Sequence, residues 1–305
     1  MFIPHDVSFS DDAAHYQTQR SRVETWYYDG LFDNGYSMAF LINIFKLGRL
    51  GMALTGLYLY KDTTLIKTLR QRLPLDALHA SPAQPQFTLR GASLLSSHQD
   101  PSTDTWNTHI KYGDENTAAD LQLTRSVKAW AGTTSLGGWL AIPRLQIHGT
   151  LSVDGRPIPV SGHGYHDHNQ FPVYAPLYCR AYQFGRVSSG TLMTVWGRII
   201  HNFGNEEHLL IVCTDTQIAN IPAESQTLSI QREDHRTRFP LTLTLQAHTP
   251  EVDLDLTHET IGFHFLRLPG IQYWRAHVRT TGTVRLHKTT ESFDRTEISD
   301  YVKFA

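Results

Sequence analysis

His163-Gly164-Tyr165-His166-Asp167-His168-Asn169 packs three histidines, a carboxylic acid, a phenol and an amide into seven residues. Surface turns collect Asn, Asp and Gly, but not titratable groups at this density. Gly162 and Gly164 keep the backbone approachable. The preceding Ile158-Pro159-Val160 reads as a short strand. If the segment is extended, its side chains alternate between two faces. His163, Tyr165, Asp167 and Asn169 then share one face, and His166 and His168 take the other. One face can line a pocket while the other is anchored by hydrogen bonds.

Outward from this heptad, short β-rich runs recur in both directions. Upstream lie residues 87–90, 108–112, 121–124 and 139–142, punctuated by Gly137-Gly138 and Pro143. Downstream lie residues 192–200, 208–213, 227–231, 241–247, 261–268, 273–279 and 283–287. Spacing of roughly 8 to 15 residues with few helical stretches points to antiparallel barrels or sandwiches. Glu24-Thr25-Trp26-Tyr27-Tyr28-Asp29-Gly30 reads as an aromatic strand closed by an Asp-Gly turn. Residues 36–60 read as paired strands with a turn near Lys46-Leu47-Gly48. Leu65, Ile66, Leu69 and Leu73 have partial helical spacing and predict a helix over residues 62–73, ended by Pro74. Residues 1–20 are polar and read as an arm or a lead-in to the first strand. The expected fold is all-β, in two domains, 1–160 and 161–305, with the heptad at their seam, where ligand sites tend to form.

The bulk properties narrow the function. A chain of 305 residues buries one large core or two of ordinary size, and two is the better expectation. Hydrophobic residues at 40% and charged residues at 18% describe a globular protein. The formal net charge of -2 argues against electrostatic capture of nucleic acid or of an anionic membrane. Two cysteines, Cys179 and Cys213, are too few for a disulfide scaffold and read as small buried hydrophobes. Residues 36–60 are apolar, but Lys46, Arg49 and three glycines break any run of about 20 apolar residues, so no membrane span is expected. Met1-Phe2-Ile3-Pro4-His5-Asp6 has neither a basic nor an apolar leader region, which suggests a soluble, cytoplasmic protein.

Two stretches carry a family resemblance. Residues 24–30 resemble the EWWYFDG-type opening of the carotenoid 1,2-hydratase (hydroxyneurosporene synthase) family of lipocalin-like proteins. Residues 162–169 resemble its GxGYHDHNWG signature, the more specific of the two. Trp139 with Pro143, then Gly149, Leu151 and Gly155, resembles the stretch before the signature, and Trp196-Gly197-Arg198 the strand after it. The resemblance runs from about residue 22 to 215, and the last third matches in style only. It implies two lipocalin-like β-barrel domains, no redox cofactor, and hydration of a terminal isoprenoid double bond. Relatives in natural-product pathways cyclise polyenes, including [4+2] cyclisations. The family's acid and aromatic positions carry over to Asp167, Tyr165 and Trp139. Thr25 stands where the opening has its first Trp, and Gln170-Phe171 where the signature ends in Trp-Gly. Both departures bear on pocket shape and point to a substrate other than a carotenoid.

Adding water to an isolated alkene needs a strong proton donor and shielding of the carbocation. A carboxylic acid in an apolar pocket stays protonated near neutrality, and Asp167 beside Tyr165 fits that need. Faces of Trp26, Tyr27 or Trp139 can stabilise a developing cation. A pericyclic cyclisation needs less acid and more shape, with Tyr165, Asn169 or a histidine polarising a substrate carbonyl. The candidate catalytic set is Asp167, Tyr165, His166 and His168. The candidate substrate-binding set is Trp26, Tyr28, Trp139, His163, Asn169, Trp196 and His264. The plain alternatives stand beside these: Asp167 as a carboxylate tying a turn, the aromatics as barrel core, and Glu24 paired with an arginine such as Arg198. His166 and His168 have the spacing of metal ligands, but the resemblance points away from metal, and no cofactor is expected. Ser161 lies near His163 without a nucleophile-elbow pattern, against a serine hydrolase. The expected partner is a small hydrophobic polyene. The competing class is a non-catalytic carrier of a lipophilic metabolite.

Overall fold

The computed structural model describes residues 2–18, 21–125, 127–268 and 270–304. They form an all-β, lipocalin-like chain in two compact units, Pro4–Val173 and Tyr174–Ala305 with Met1–Ile3. The expected division at 160/161 falls instead inside one continuous strand, Arg156–Phe171. That strand holds the whole heptad in extended conformation and belongs to the N-terminal unit. Among the described residues no helix is long and apolar enough to cross a membrane.

The N-terminal sheet is antiparallel. Its spatial order is Thr64–Pro74, Leu50–Lys61, Tyr36–Leu47, Ser21–Phe32, Arg156–Phe171, Gly138–Val153, Thr117–Arg125, Thr105–Gly113, Ala92–Asp100, Gln86–Leu89 and Leu78–Ala80. The two end strands are consecutive in the chain, joined by one 3₁₀ turn, Leu75–Ala77, and the sheet curls into a nearly closed barrel. Side chains from alternate positions fill it, among them Trp26, Tyr28, Phe40, Ile42, Phe87 and Ile142. The C-terminal sheet, a half-barrel, runs Ile218–Asn220, Glu206–Cys213, Met193–His201, Cys179–Ser188, Thr289–Phe304, Ile271–Leu286, Val252–Leu268, Pro240–His248 and Gln226–Glu233. The runs expected at 273–279 and 283–287 are one strand there, carried through Gly282.

Three local expectations are corrected. Residues 64–74 are a strand, not a helix, and burial alternates along it with period two. Leu65, Leu69 and Leu73 are four apart, a spacing that satisfies a strand face as well as a helix face. The deciding signal is Asp62-Thr63, both at positive φ, which form a two-residue hairpin loop between the paired Lys61 and Thr64. Asp29-Gly30 is mid-strand, because Ser21–Phe32 runs on through it and pairs Asp29 with Tyr165. Finally, residues 9–16 are no loose arm. Ser8 caps a 3₁₀ turn, Phe9–Asp12, after which Asp12, Ala13, Ala14 and Tyr16 are buried. Residues 36–60 do form a strand pair, turned at Gly48-Arg49.

Gly162 and Gly164 are required by close approach. A Cβ at Gly164 would lie 2.0 Å from the Asp29 carbonyl oxygen, and one at Gly162 2.0 Å from that of Leu31. Strand Gly138–Val153 accommodates Pro143 by a register shift between Ile142 and Leu145, where a bulge removes the need for a ladder N–H. This bulge sits beside the heptad and aligns Trp139 with Asn169 and Ala141 with Asp167.

Candidate active site

The heptad strand has two chemically distinct faces, as its alternation requires. Inside the barrel, His168 lies opposite Trp26 and His166 opposite Tyr28. Each imidazole stacks on its neighbour's ring, with centroids 4.2 Å apart for Trp26–His168 and 4.0 Å for Tyr28–His166. Three of the four ring nitrogens make hydrogen bonds. His166 reaches Asp12 Oδ1 at 3.0 Å and the Tyr27 carbonyl at 2.9 Å. His168 Nε2 reaches Glu24 Oε1 at 2.9 Å, and its Nδ1 lies 3.3 Å from Asp12 Oδ1. Glu24 also accepts the His15 backbone N–H at 3.0 Å, and the Asp12 carbonyl accepts the Trp26 indole N–H at 2.9 Å. The four side chains Asp12, Glu24, His166 and His168 are at most 3% exposed. Burial pushes Asp12 up, but His166 and His168 outweigh it and hold the carboxyl at about 2. Burial likewise pushes His168 down, and the neighbouring Asp12 and Glu24 carboxyl groups, toward which its ring N–H groups point, reverse this to about 9. His168 is therefore an imidazolium between two carboxylates, anchoring the N-terminal 3₁₀ turn within the barrel.

The opposite face carries a second buried cluster. Trp139 Nε1 donates to Tyr165 Oη at 3.2 Å, and that hydroxyl donates to Asp167 Oδ2 at 3.1 Å. Asn169 Nδ2 donates to Asp167 Oδ1 at 2.6 Å, so each carboxyl oxygen accepts a hydrogen bond from its own strand. Tyr27, opposite Asp167, donates to Asp29 Oδ2 at 3.2 Å. Tyr165 is fully buried, Asp29 likewise, and Asp167 is 3% exposed. Burial, together with the charges of Asp167 and Asp29, pushes the Tyr165 phenol well above its ordinary value, so it remains a proton-bearing donor. A chain of fixed donors thus ends on one buried carboxyl.

Of the expected site residues, Tyr165, Asp167, Asn169 and Trp139 come together on this face. His163 shares the face by alternation and is half-buried. Trp26, Tyr28, His166 and His168 lie on the inner face, in the core and its anchoring network. Trp196 and His264 belong to the C-terminal unit, Trp196 buried beside His258 with ring centroids 5.5 Å apart. Glu24 binds His168 rather than Arg198, which pairs with Glu206 at 2.5 Å. Asp12 and Asp29 escaped the sequence reading. Asp12 stands in a polar segment that gives no sign of burial, and Asp29 is masked by the turn-like Asp-Gly pair. Both cysteines are buried and unbridged. Among the described residues, the His/carboxylate grouping close enough together to hold a cation is the exposed His248, Asp253 and Asp255, far in sequence from the heptad.

No protein-family profile matches the sequence. No curated protein matches it either. Solved structures do share its fold. A Nitrosomonas europaea protein provisionally assigned as AttH superposes with a TM-score of 0.69 at 13% identity, covering 98% of this chain and 97% of that one. Kievitone hydratase from Nectria haematococca superposes at 0.64 with 10% identity, over 92% and 89% of the two chains. CghA, solved with Sch210972, superposes at 0.55 with 13% identity, over 94% and 89%. The lipocalin-like fold implied by the two sequence motifs is therefore the fold observed.

Proposed function

We propose that the protein is a cofactor-independent hydratase or cyclase acting on a hydrophobic polyene, with Asp167 as the group that protonates or polarises the substrate. The observation that carries this reading is the buried Asp167 carboxyl, gripped by Tyr165 and Asn169 and backed by Trp139. Such fixed donors spend no energy reorganising as charge develops. Positioned proton transfer contributes about 10²–10⁴-fold to rate. The indole of Trp139 or the ring of Tyr27 would stabilise a developing cation by roughly 0.5–2 kcal/mol. The shared fold with kievitone hydratase, a hydratase by name, supports the reaction class. A carrier of the lipocalin kind needs an open lumen, whereas the N-terminal lumen is filled by aromatic and aliphatic side chains. That packing argues against carriage within the N-terminal barrel.

The test compares metabolites of producing cells with and without the protein. A lost product one water heavier than the accumulating precursor identifies hydration, and one of equal mass but shifted retention identifies cyclisation. An unchanged metabolite profile would favour the carrier.

A further inference from the structure

The C-terminal half-barrel contains chemistry that the proposed reaction does not use. Its interior has a small cavity, about 10 Å³, lined in part by Gln183, Trp196 and His258. This is the room of a single water molecule. All three side chains are at most 4% exposed. Each carries a buried polar atom without a hydrogen-bond partner among the described residues: the Gln183 Oε1 acceptor, the Trp196 Nε1 donor and His258 Nε2. Leaving three such groups unpaired is unfavourable, and a guest that bonds to them would recover that loss. Burial lowers His258 to about 4, so the ring is neutral. Its Nδ1 lies 2.7 Å from Thr280 Oγ1, and with that hydroxyl donating, Nε2 carries the ring N–H.

The second observation concerns the apolar side of the same cavity. Phe239 lines it. That ring also contacts Phe263 at 5.4 Å and stacks on Trp274 at 6.0 Å, and Trp274 in turn meets Phe265 at 4.8 Å. Strand Val252–Leu268 faces His258 inward, and a bulge between Thr260 and Gly262 then shifts Phe263 and Phe265 onto the Trp274 side. Phe263 is 48% exposed and Phe265 39%. Solvent-facing aromatic rings thus lead to a polar recess of one-oxygen size.

We propose that this half-barrel holds a second ligand site, for a small lipophilic alcohol whose hydroxyl enters the recess while its apolar body lies on Phe263 and Phe265. The hydroxyl donates to Gln183 Oε1 and accepts from Trp196 Nε1 and His258 Nε2, the same three bonds a trapped water would make. A carbonyl would leave Gln183 unpaired, which selects the alcohol. The inference stands apart from the role given to Asp167.

Calorimetric titration of the full chain with 2-naphthol and with 2-methylnaphthalene, the same body without the hydroxyl, tests it. The naphthol should bind saturably and at least about tenfold tighter, the worth of one to two hydrogen bonds. Phe265→Ser, at an exposed ring, should weaken both probes. Gln183→Leu should weaken the naphthol alone and abolish the preference. No saturable naphthol binding would show that the recess holds only water and would overturn the proposal. Equal affinity for the two probes would also overturn it, as would affinities unmoved by Phe265→Ser, the deciding variant if Gln183→Leu does not fold.

Discussion

The two faces of one strand divide the work. Facing into the barrel, His166 is hydrogen-bonded by Asp12 and a backbone carbonyl, His168 by Glu24, and aromatic rings cover their faces. Facing the other way, Tyr165, Asp167 and Asn169 form a line of hydrogen bonds that converges on one carboxyl. Both faces are buried and both are polar. The inner one, with a charged imidazole between two carboxylates, holds an N-terminal segment in place. The outer one holds a neutral phenol against an acid. Burial and a high density of titratable groups therefore do not by themselves identify chemistry. What separates the faces is that the inner cluster pairs a charged imidazole with acids, whereas the outer one gathers neutral donors on a single carboxyl.

The sharpest break of this comparison comes from the inner face. Glu24→Ala removes one partner of a buried ion pair and leaves the His168 charge with less compensation, which should cost about 3–5 kcal/mol. Urea unfolding followed by tryptophan fluorescence reads it through Trp26, which stacks on His168. A loss below about 1 kcal/mol would mean the inner network is not an anchor.

The next effect is on pH. His168 is raised to about 9 from an ordinary 6.5, so its contribution is complete below pH 6.5 and fades as pH rises through 9. A shift of this size corresponds to on the order of 3 kcal/mol. Asp12 works the other way, its contribution complete above pH 4 and lost as pH falls toward 2. In the C-terminal unit, His258 is lowered to about 4, and its contribution, present above pH 6.5, is lost as pH falls toward 4. Amide exchange measured across pH 4 to 9 should loosen the N-terminal strands at the alkaline end and the strand carrying His258 at the acid end. Uniform loosening at either end would contradict the assignment of charged and neutral histidines.

The smallest effect belongs to Trp139→Phe. It keeps most of the packing and removes one indole donor to Tyr165, a change of about 1 kcal/mol in stability. Product formation should fall several-fold while the urea midpoint moves by only the roughly 0.3–1 M that this loss implies. The reverse pattern would make Trp139 a core residue only.

Much of this was legible in the sequence. Alternation in an extended heptad assigns the two faces correctly, because a strand leaves its side chains no other choice. The recurrence of short apolar runs gives the all-β class. The misreadings share a cause, a local pattern with two physical meanings. Leucines four apart suit strand and helix alike, and Asp-Gly marks a turn unless its carboxylate and close backbone contacts are wanted mid-strand, as at Asp29 and Gly30. Asp12 was beyond reach, since its burial depends on a segment folding into the barrel 154 residues before its partner His166.

Asp167→Asn is the direct test of the central claim. The amide keeps the size of the carboxyl and retains an acceptor for Asn169 or Tyr165, but it can neither give nor take the reaction's proton. Product would be measured in cells carrying wild-type protein or the variant, with soluble yield and circular dichroism checking the fold. The account predicts a folded variant that accumulates precursor and loses product by about 10²-fold or more. A folded Asp167→Asn protein that forms product at the wild-type rate would contradict it and leave Asp167 as a structural carboxylate.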